Sequence, residues 1–318
     1  MSATEGTVVQ VDAKQVLVDL EGEVVPAALR GTLFEDLGST KNPVAVGDRV
    51  RLDEDAEGPA VAEVLPRRNH LSRVASGHDP REQVLFANVD QLLVIGSVRK
   101  PGFSSNRTDR ILAACEWHEV PATVVLNKID LADADEVAAL AETYRSVPVR
   151  VLETSAETGE GLEALRELLV GRTSVLYGPS GAGKSTLINR LEPGLNLKEG
   201  RISSYWKQGR HTTTYSRLHR LALGATVIDT PGIRVFRPYD VSPRELRDTF
   251  PDIHRLSSAC QFDDCSHDHE PGCALDDALE DGRLAPTRWS SYLEMLDELQ
   301  QARARQESDD DSGQPLKS

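Results

Sequence analysis

No stretch of this sequence holds the eighteen or so consecutive apolar residues that a membrane-spanning helix requires. The opening residues, MSATEGTVVQVDAKQ, have neither a basic start nor an apolar core, so no signal peptide is expected there. The expected location is therefore cytoplasmic. Basic residues are in short supply. Lys and Arg number 36 against 51 Asp and Glu, a formal net charge of −15 over 318 residues, which argues against non-specific binding to nucleic acid. Cysteine is scarce too. Of four, Cys260, Cys265 and Cys273 fall within fourteen residues and Cys115 stands far from them. A cluster of that kind in a reducing compartment suits a metal better than disulfides.

What is present has an ordinary globular composition, 39% hydrophobic and 27% charged, at a length that suits two or three domains. The charge is unevenly spread. Acids crowd residues 133–167 and 307–311. The stretch Lys198 to Arg220 instead carries Lys198, Arg201, Lys207, Arg210, Arg217 and Arg220 against one acid, Glu199, together with His211 and His219. Such a strip suits either contact with an anion or a solvated loop.

Texture changes twice along the chain. Residues 6–65 read as five short strands, GTVVQVD, QVLVDL, EVVPAAL, GDRVRLD and AVAEVLP, with apolar and polar residues alternating between turn signals. This pattern suits a small β-barrel, of OB type or another kind. The following PRRNHLSR, with Arg67, Arg68 and Arg73, reads as a basic linker. From about residue 84, apolar strands alternate with helical segments at 106–118, 133–146 and 158–170, which implies a mainly parallel sheet covered by helices on both faces. After Arg237 come the cysteine cluster and a helix over 286–305, then a polar tail, QESDDDSGQPLKS, expected to be disordered. The expected fold class is thus multi-domain α/β with an N-terminal OB-like β-barrel (1–76), a central α/β phosphate-loop domain (77–238) and a C-terminal helical metal-binding domain (239–318).

The chemistry is carried by five short motifs. Gly178-Pro179-Ser180-Gly181-Ala182-Gly183-Lys184-Ser185, followed by Thr186, fits G-x-x-x-x-G-K-[ST] between an apolar strand and a helix. Glycines let backbone N–H groups curl around phosphates, Lys184 reaches the β- and γ-phosphates, and the Ser185 hydroxyl suits Mg²⁺. Asn127-Lys128-Ile129-Asp130 resembles the guanine-specificity motif of GTPases, in which a carboxylate accepts from the guanine N1–H and 2-amino group. Ser155-Ala156 resembles the next GTPase element. Asp229-Thr230-Pro231-Gly232 fits D-x-x-G, whose acid holds Mg²⁺ through water and whose glycine senses the γ-phosphate. Gly209 to Thr214 places Thr212, Thr213 and Thr214 where one threonine of a first switch reaches Mg²⁺. These motifs imply GTP/GDP and Mg²⁺ as ligands.

Their order is inverted, with base recognition before the phosphate loop. A circular permutation accounts for this, because domain termini commonly lie close together. D-x-x-G then leads directly into the C-terminal domain. Cys260, Cys265, His267 and Cys273, spaced C-x₄-C-x-H-x₅-C, offer four N/S ligands for one structural zinc ion, with His269 as a rival for the histidine position. Ile233 stands where many GTPases carry the glutamine that orients water, and His211 is the nearest polar candidate for that catalytic role beside Lys184 and Ser185. His211 suits contact with RNA phosphate equally well.

Permuted order, barrel, GRHTTT run and C-x₄-C-x-H-x₅-C together resemble the RsgA (YjeQ) family of bacterial ribosome-biogenesis GTPases across essentially the whole chain. The resemblance implies a GTP hydrolase acting late in small-subunit assembly, binding the small ribosomal subunit and its 16S rRNA, stimulated by that subunit, and monomeric away from it with no membrane partner. Rival readings are an RNA-binding regulator that uses GTP only as a ligand, to which Ile233 gives weight, and a GTPase of large-subunit assembly.

Overall fold

The computed structural model describes residues 4–12, 15–35, 37–55, 58–75, 79–195, 216–230, 237–268 and 270–311. Five strands, β1 (Thr4–Val11), β2 (Gln15–Leu20), β3 (Glu23–Leu29), β4 (Arg49–Asp55) and β5 (Gly58–Val64), run in the order β1-β2-β3-β5-β4, and β4 returns to pair with β1. That return closes the sheet into a barrel. β3 and β5 are parallel and the other pairs antiparallel. Alternation sends Val8, Val16, Val18, Val50, Leu52 and Val61 inward, where β-branched side chains pack well. The β2–β3 connection turns on Glu21 and Gly22, both at positive φ (53° and 108°), as a two-residue hairpin with right-handed strand twist demands.

The stretch read as a basic linker is structured. His70–Val74 is strand β6, paired antiparallel with β7 (Glu82–Ala87), and the expected division between residues 76 and 77 falls between these two partners. Arg67 donates two hydrogen bonds, of 2.7 and 2.8 Å, to Asp48, a fully buried carboxylate that also caps Ala45 N–H. Arg68 pairs with Asp90 at 2.8 Å. A buried Asp48 needs a cation, and Arg67 supplies it, so this arginine is held in place by the ion pair.

The central domain comprises β8 (Gln91–Ser97), α1 (Ser105–Trp117), β9 (Ala122–Asn127), α2 (Ala134–Arg145), β10 (Arg150–Thr154), α3 (Leu162–Leu169), β11 (Thr173–Tyr177), α4 (Lys184–Leu191), β12 (Arg217–Arg220) and β13 (Thr226–Asp229). The strand order is β10-β9-β8-β11-β13-β12, parallel except for the β12–β13 hairpin. All seven residues of β8 are buried, as a strand covered on both faces requires. Leu92 and Val94 pack with Ile111, Ala114, Val137 and Tyr144 of α1 and α2. Leu93 and Ile95 turn the other way, toward Leu165, Leu169, Leu187 and Ile188 of α3 and α4. β12 also pairs with β1, so one eleven-stranded sheet runs from the central domain into the barrel.

The C-terminal part holds α5 (Pro251–Ser257), α6 (Ala274–Glu280) and α7 (Pro286–Asp311) around Leu246, Phe250, Ile253, Leu275, Tyr292 and Leu296. Helix α7 extends through the acidic segment expected to be disordered as far as Asp311, where the next helix breaker, Gly313, is near. It lies along α1. Arg288, 2% exposed, bonds Asp109 of α1 at 2.9 Å and Asp252 of α5 at 2.7 and 2.9 Å. Arg110 of α1 makes a two-bond fork with Glu298 at 2.7 Å each. Among the described residues no helix is long and apolar enough to cross a membrane.

Candidate nucleotide centre and metal cluster

The loop Gly178–Gly183 joins β11 to α4 at the C-terminal end of the sheet, where open α/β sheets take ligands. Its path demands glycine. A Cβ on Gly178 (φ 156°) would meet Ile95 O at 2.1 Å, and one on Gly183 (φ 96°) would meet Asn127 Nδ2 at 2.2 Å. That space is used by Asn127, which is fully buried at the end of β9. Its amide donates to Ala182 O at 2.8 Å and accepts from Thr154 Oγ1 at 3.2 Å. Lys128, in the left-handed region, reaches back so that Nζ donates to Gly181 O and Lys100 O, both at 2.6 Å. Asn127 and Lys128 therefore brace the phosphate loop directly, a use of these two residues that the sequence alone did not suggest.

Asp130, by contrast, is exposed beside that brace. Its Oδ1 accepts from Ser155 Oγ at 2.5 Å, and Ser155 Oγ in turn accepts from Thr158 N–H at 3.1 Å. Ser155 and Ala156 are buried at the end of β10. The carboxylate is thus oriented through a buried hydroxyl and keeps acceptor capacity toward solvent, the arrangement two N–H donors of a base need.

Lys184 folds over the loop, with Nζ donating to Gly178 O (2.7 Å) and Pro179 O (3.1 Å). Burial lowers its pKa, opposed by the nearby Asp229 charge. Asp229, 3% exposed at the end of β13, has its carboxyl pushed up to about 6 by burial, with Lys184 pulling the other way. Its Oδ1 has no hydrogen-bond partner among the described residues. Thr230 Oγ1 donates to Leu176 O at 2.9 Å and so holds the end of β13 against β11. A buried, unpartnered carboxylate oxygen in the same centre as the buried Ser185 hydroxyl fits a hard divalent cation. Thr186 is half-buried in the first turn of α4, and Ser180 is exposed on the loop. Gly232, Ile233, His211, Thr212, Thr213, Thr214 and the residues Lys198, Arg201, Lys207 and Arg210 of the basic strip lie outside the described residues. Of that strip, Arg217 is exposed, His219 is largely buried, which pushes its imidazole down to about 4, and Arg220 bonds Asp19.

A second cleft, of about 330 Å³, lies between α1, α5 and the N-terminal ends of β9 and β10, lined by Leu112, Pro121, Val147 and Pro148 among others. It is at the wrong end of the strands for the phosphate loop and contains none of the motif residues.

In the C-terminal part, Cys260, Cys265, His267 and Cys273 bring their ligand atoms within 4.8 Å of one another. His267 Nδ1 is 3.5 Å from Cys260 Sγ and 3.7 Å from Cys273 Sγ. A tetrahedral ion with Zn–N near 2.0–2.1 Å and Zn–S near 2.3 Å places N and S about 3.6 Å apart, so the spacing fits zinc. His267 adopts positive φ (64°), and its carbonyl is held by Trp289 Nε1 at 3.2 Å, while Tyr292 Oη holds Ser266 O at 3.1 Å. Helix α7 thereby fixes the histidine from behind. His269, the rival, lies outside the described residues.

A family model described as RsgA GTPase matches residues 64–238. The small ribosomal subunit biogenesis GTPase RsgA of Bacteroides fragilis is 38% identical over 92% of this chain and 95% of its own length. The protein of the same name from Gemmatimonas aurantiaca is 40% identical over 88% and 92%. Among solved structures, YjeQ from Thermotoga maritima is similar with a TM-score of 0.71 at 33% identity, covering 94% of this chain and 99% of that one. YloQ, described as a circularly permuted GTPase, is similar at 0.66 and 29% identity, covering 95% and 96%.

Proposed function

The chain belongs to the RsgA family of GTPases and is a GTP hydrolase using GTP, GDP and Mg²⁺, and from that premise we propose that it acts in assembly of the small ribosomal subunit, binding that subunit and its 16S rRNA in the cytoplasm. The observation that carries this reading is the extent of the similarity. Relatives bearing the small-subunit name match over 92% of the chain, including the barrel and the Cys/His cluster, and not over the nucleotide motifs alone.

The sequence motifs, together with the arrangement above for the described residues, support the following roles. Asp130 takes the guanine N–H groups, with Ser155 and Ala156 beside it. The backbone from Gly178 to Thr186 cradles phosphate. Lys184 gives up two loop carbonyls to reach the β- and γ-phosphates. Ser185 and Asp229 hold Mg²⁺, Asp229 through water, and Gly232 senses the γ-phosphate. Bound Mg²⁺ neutralises charge that develops on the phosphates. One of Thr212, Thr213 and Thr214 completes the metal shell, and His211 orients the attacking water that Ile233 cannot. Cys260, Cys265, His267 and Cys273 bind one structural zinc ion. Away from the subunit the protein is a monomer.

Multiple-turnover GTP hydrolysis with and without purified small subunits tests the reading. Stimulation by small but not large subunits is expected. A protein that binds GTP yet shows no turnover on either subunit is instead a GTP-sensing RNA-binding regulator.

A further inference from the structure

The barrel is joined to the nucleotide centre by a strand. β12 is the strand that enters from the segment between Ser185 and Asp229, and it pairs on one side with β13, which carries Asp229, and on the other with β1 of the barrel. The register forms a single row. Leu176 opposes Asp229, Asp229 opposes Arg217, Arg217 opposes Gln10, Gln10 opposes Leu17, and Leu17 opposes Pro26. One residue per strand therefore leads from the strand behind the phosphate loop, through the buried Asp229, to the middle of β3.

A second contact lies three residues along β12. Arg220 Nε is 2.6 Å from Asp19 Oδ2, and the Asp19 side chain is only 4% exposed, against 61% for Arg220. The other oxygen of Asp19 accepts Gly22 N–H at 2.7 Å, the bond that closes the β2–β3 turn. One buried carboxylate thus holds both the barrel's hairpin turn and the central domain's edge strand. Val11 and Leu17 of the barrel pack against the same core as Leu218 and Ile228 of β12 and β13. Strand pairing, ion pair and apolar contact all couple β12 to the β1–β2–β3 face, and packed elements of this kind shift between discrete arrangements rather than bending smoothly.

We propose that β12 is a transmission strand: the nucleotide and Mg²⁺ state at Asp229 sets the position of the barrel's β2–β3 hairpin through the Asp229–Arg217–Gln10 row and the Arg220–Asp19 ion pair. This rests on the GTP reading of the centre. It makes the barrel a readout of GTP, parallel to the direct link from D-x-x-G into the C-terminal domain. Arg220 and Asp19 are positioning residues in this scheme and touch no nucleotide.

Hydrogen–deuterium exchange on the full chain tests the proposal, comparing Mg²⁺·GDP with Mg²⁺ and a non-hydrolysable GTP analogue, with affinities of fluorescent nucleotides measured in parallel. Peptides covering Gln15–Leu29 are expected to differ at least about twofold in exchange rate between the two states. Arg220→Glu should abolish that difference while leaving both affinities within about threefold. Asp19→Asn, which keeps an acceptor for Gly22 N–H and removes the charge, should reduce it without unfolding the hairpin. The double charge swap Arg220→Asp with Asp19→Arg should restore it in part. Equal exchange in the two states of a wild-type protein that binds both nucleotides, or a full difference retained in Arg220→Glu, overturns the proposal and leaves the GTPase reading intact. Failure to bind either nucleotide overturns both.

Discussion

The nucleotide centre and the Cys/His cluster are built on opposite principles. In the nucleotide centre the strong donors have partners within the protein: Lys184 and Lys128 rest on loop carbonyls, and Asn127 bridges the phosphate loop and β10. Among the described residues, Oδ1 of Asp229 has no hydrogen-bond partner. Phosphate binding therefore exchanges one set of hydrogen bonds for another. In the cluster, three thiols and an imidazole converge on a point where a bound cation would satisfy all four, and α7 holds the backbone of that loop at Ser266 and His267. Ligand loss should silence the first region and unfold the second.

Metal removal gives the largest expected effect. Structural zinc in small domains contributes an apparent ~10–16 kcal/mol of binding free energy to folding. Cys265→Ser should abolish stoichiometric zinc, expose residues 239–311 to proteolysis and leave guanine nucleotide binding in place. Elemental analysis with limited proteolysis checks this, and a metal-free protein with an intact C-terminal part would remove the contrast.

Lys184→Ala should come next. Losing a charge placed where charge develops costs on the order of 10²–10³-fold in turnover, here with an unchanged circular dichroism spectrum and melting temperature. If Lys184→Ala melts like the zinc-free protein, the centre is not preformed. Asp130→Asn should then lower GTP affinity by about 10²-fold, because guanine N–H groups lose their acceptor pair. Xanthine nucleotides, with the complementary pattern, should recover part of that loss in a competition assay.

The smallest effect concerns Asp229. Asp229 titrates near pH 6, above the ordinary carboxylate value, because burial favours its neutral form. A raised carboxyl pKa means the folded state holds its proton more tightly than the unfolded chain. Its contribution to stability is therefore present at low pH and is lost as pH rises from about 4 through about 6. Mg²⁺ binding runs the other way. Below pH 6 the cation must displace a proton, so apparent Mg²⁺ affinity should fall by up to about tenfold per pH unit and be flat above pH 7. Mg²⁺ titrations of the nucleotide complex between pH 5 and 8 measure the slope, which Asp229→Asn should erase.

Much of this was legible along the chain, where the physics is local. A glycine loop between strand and helix, an Asp at a strand end and four soft ligands within fourteen residues each state their chemistry within a few positions. Alternation sufficed for the five barrel strands, since β-branched residues every second position leave few other folds. The β6–β7 hairpin was hidden because its arginines resemble a linker when their partners are out of view. Arg67 and Asp48 are 19 residues apart. Asn127 and Lys128 read as part of the guanine-recognition motif, and the bonds their polar groups make to carbonyls some fifty residues downstream were out of view.

Sequence alone determined the ligand class, the permuted order and the candidate metal donors, because each depends on which atoms a short segment can present. Only the tertiary structure decided which charges are free to act. It buried Arg288 between Asp109 and Asp252, partners 179 and 36 residues away, tied Arg67 to Asp48, left one oxygen of Asp229 without a hydrogen bond among the described residues, and joined β12 to the barrel. Burial turns a formal charge into either a structural tie or a reactive group. That outcome depends on desolvation and on partners brought together by folding, neither of which is written in the spacing of residues along the chain.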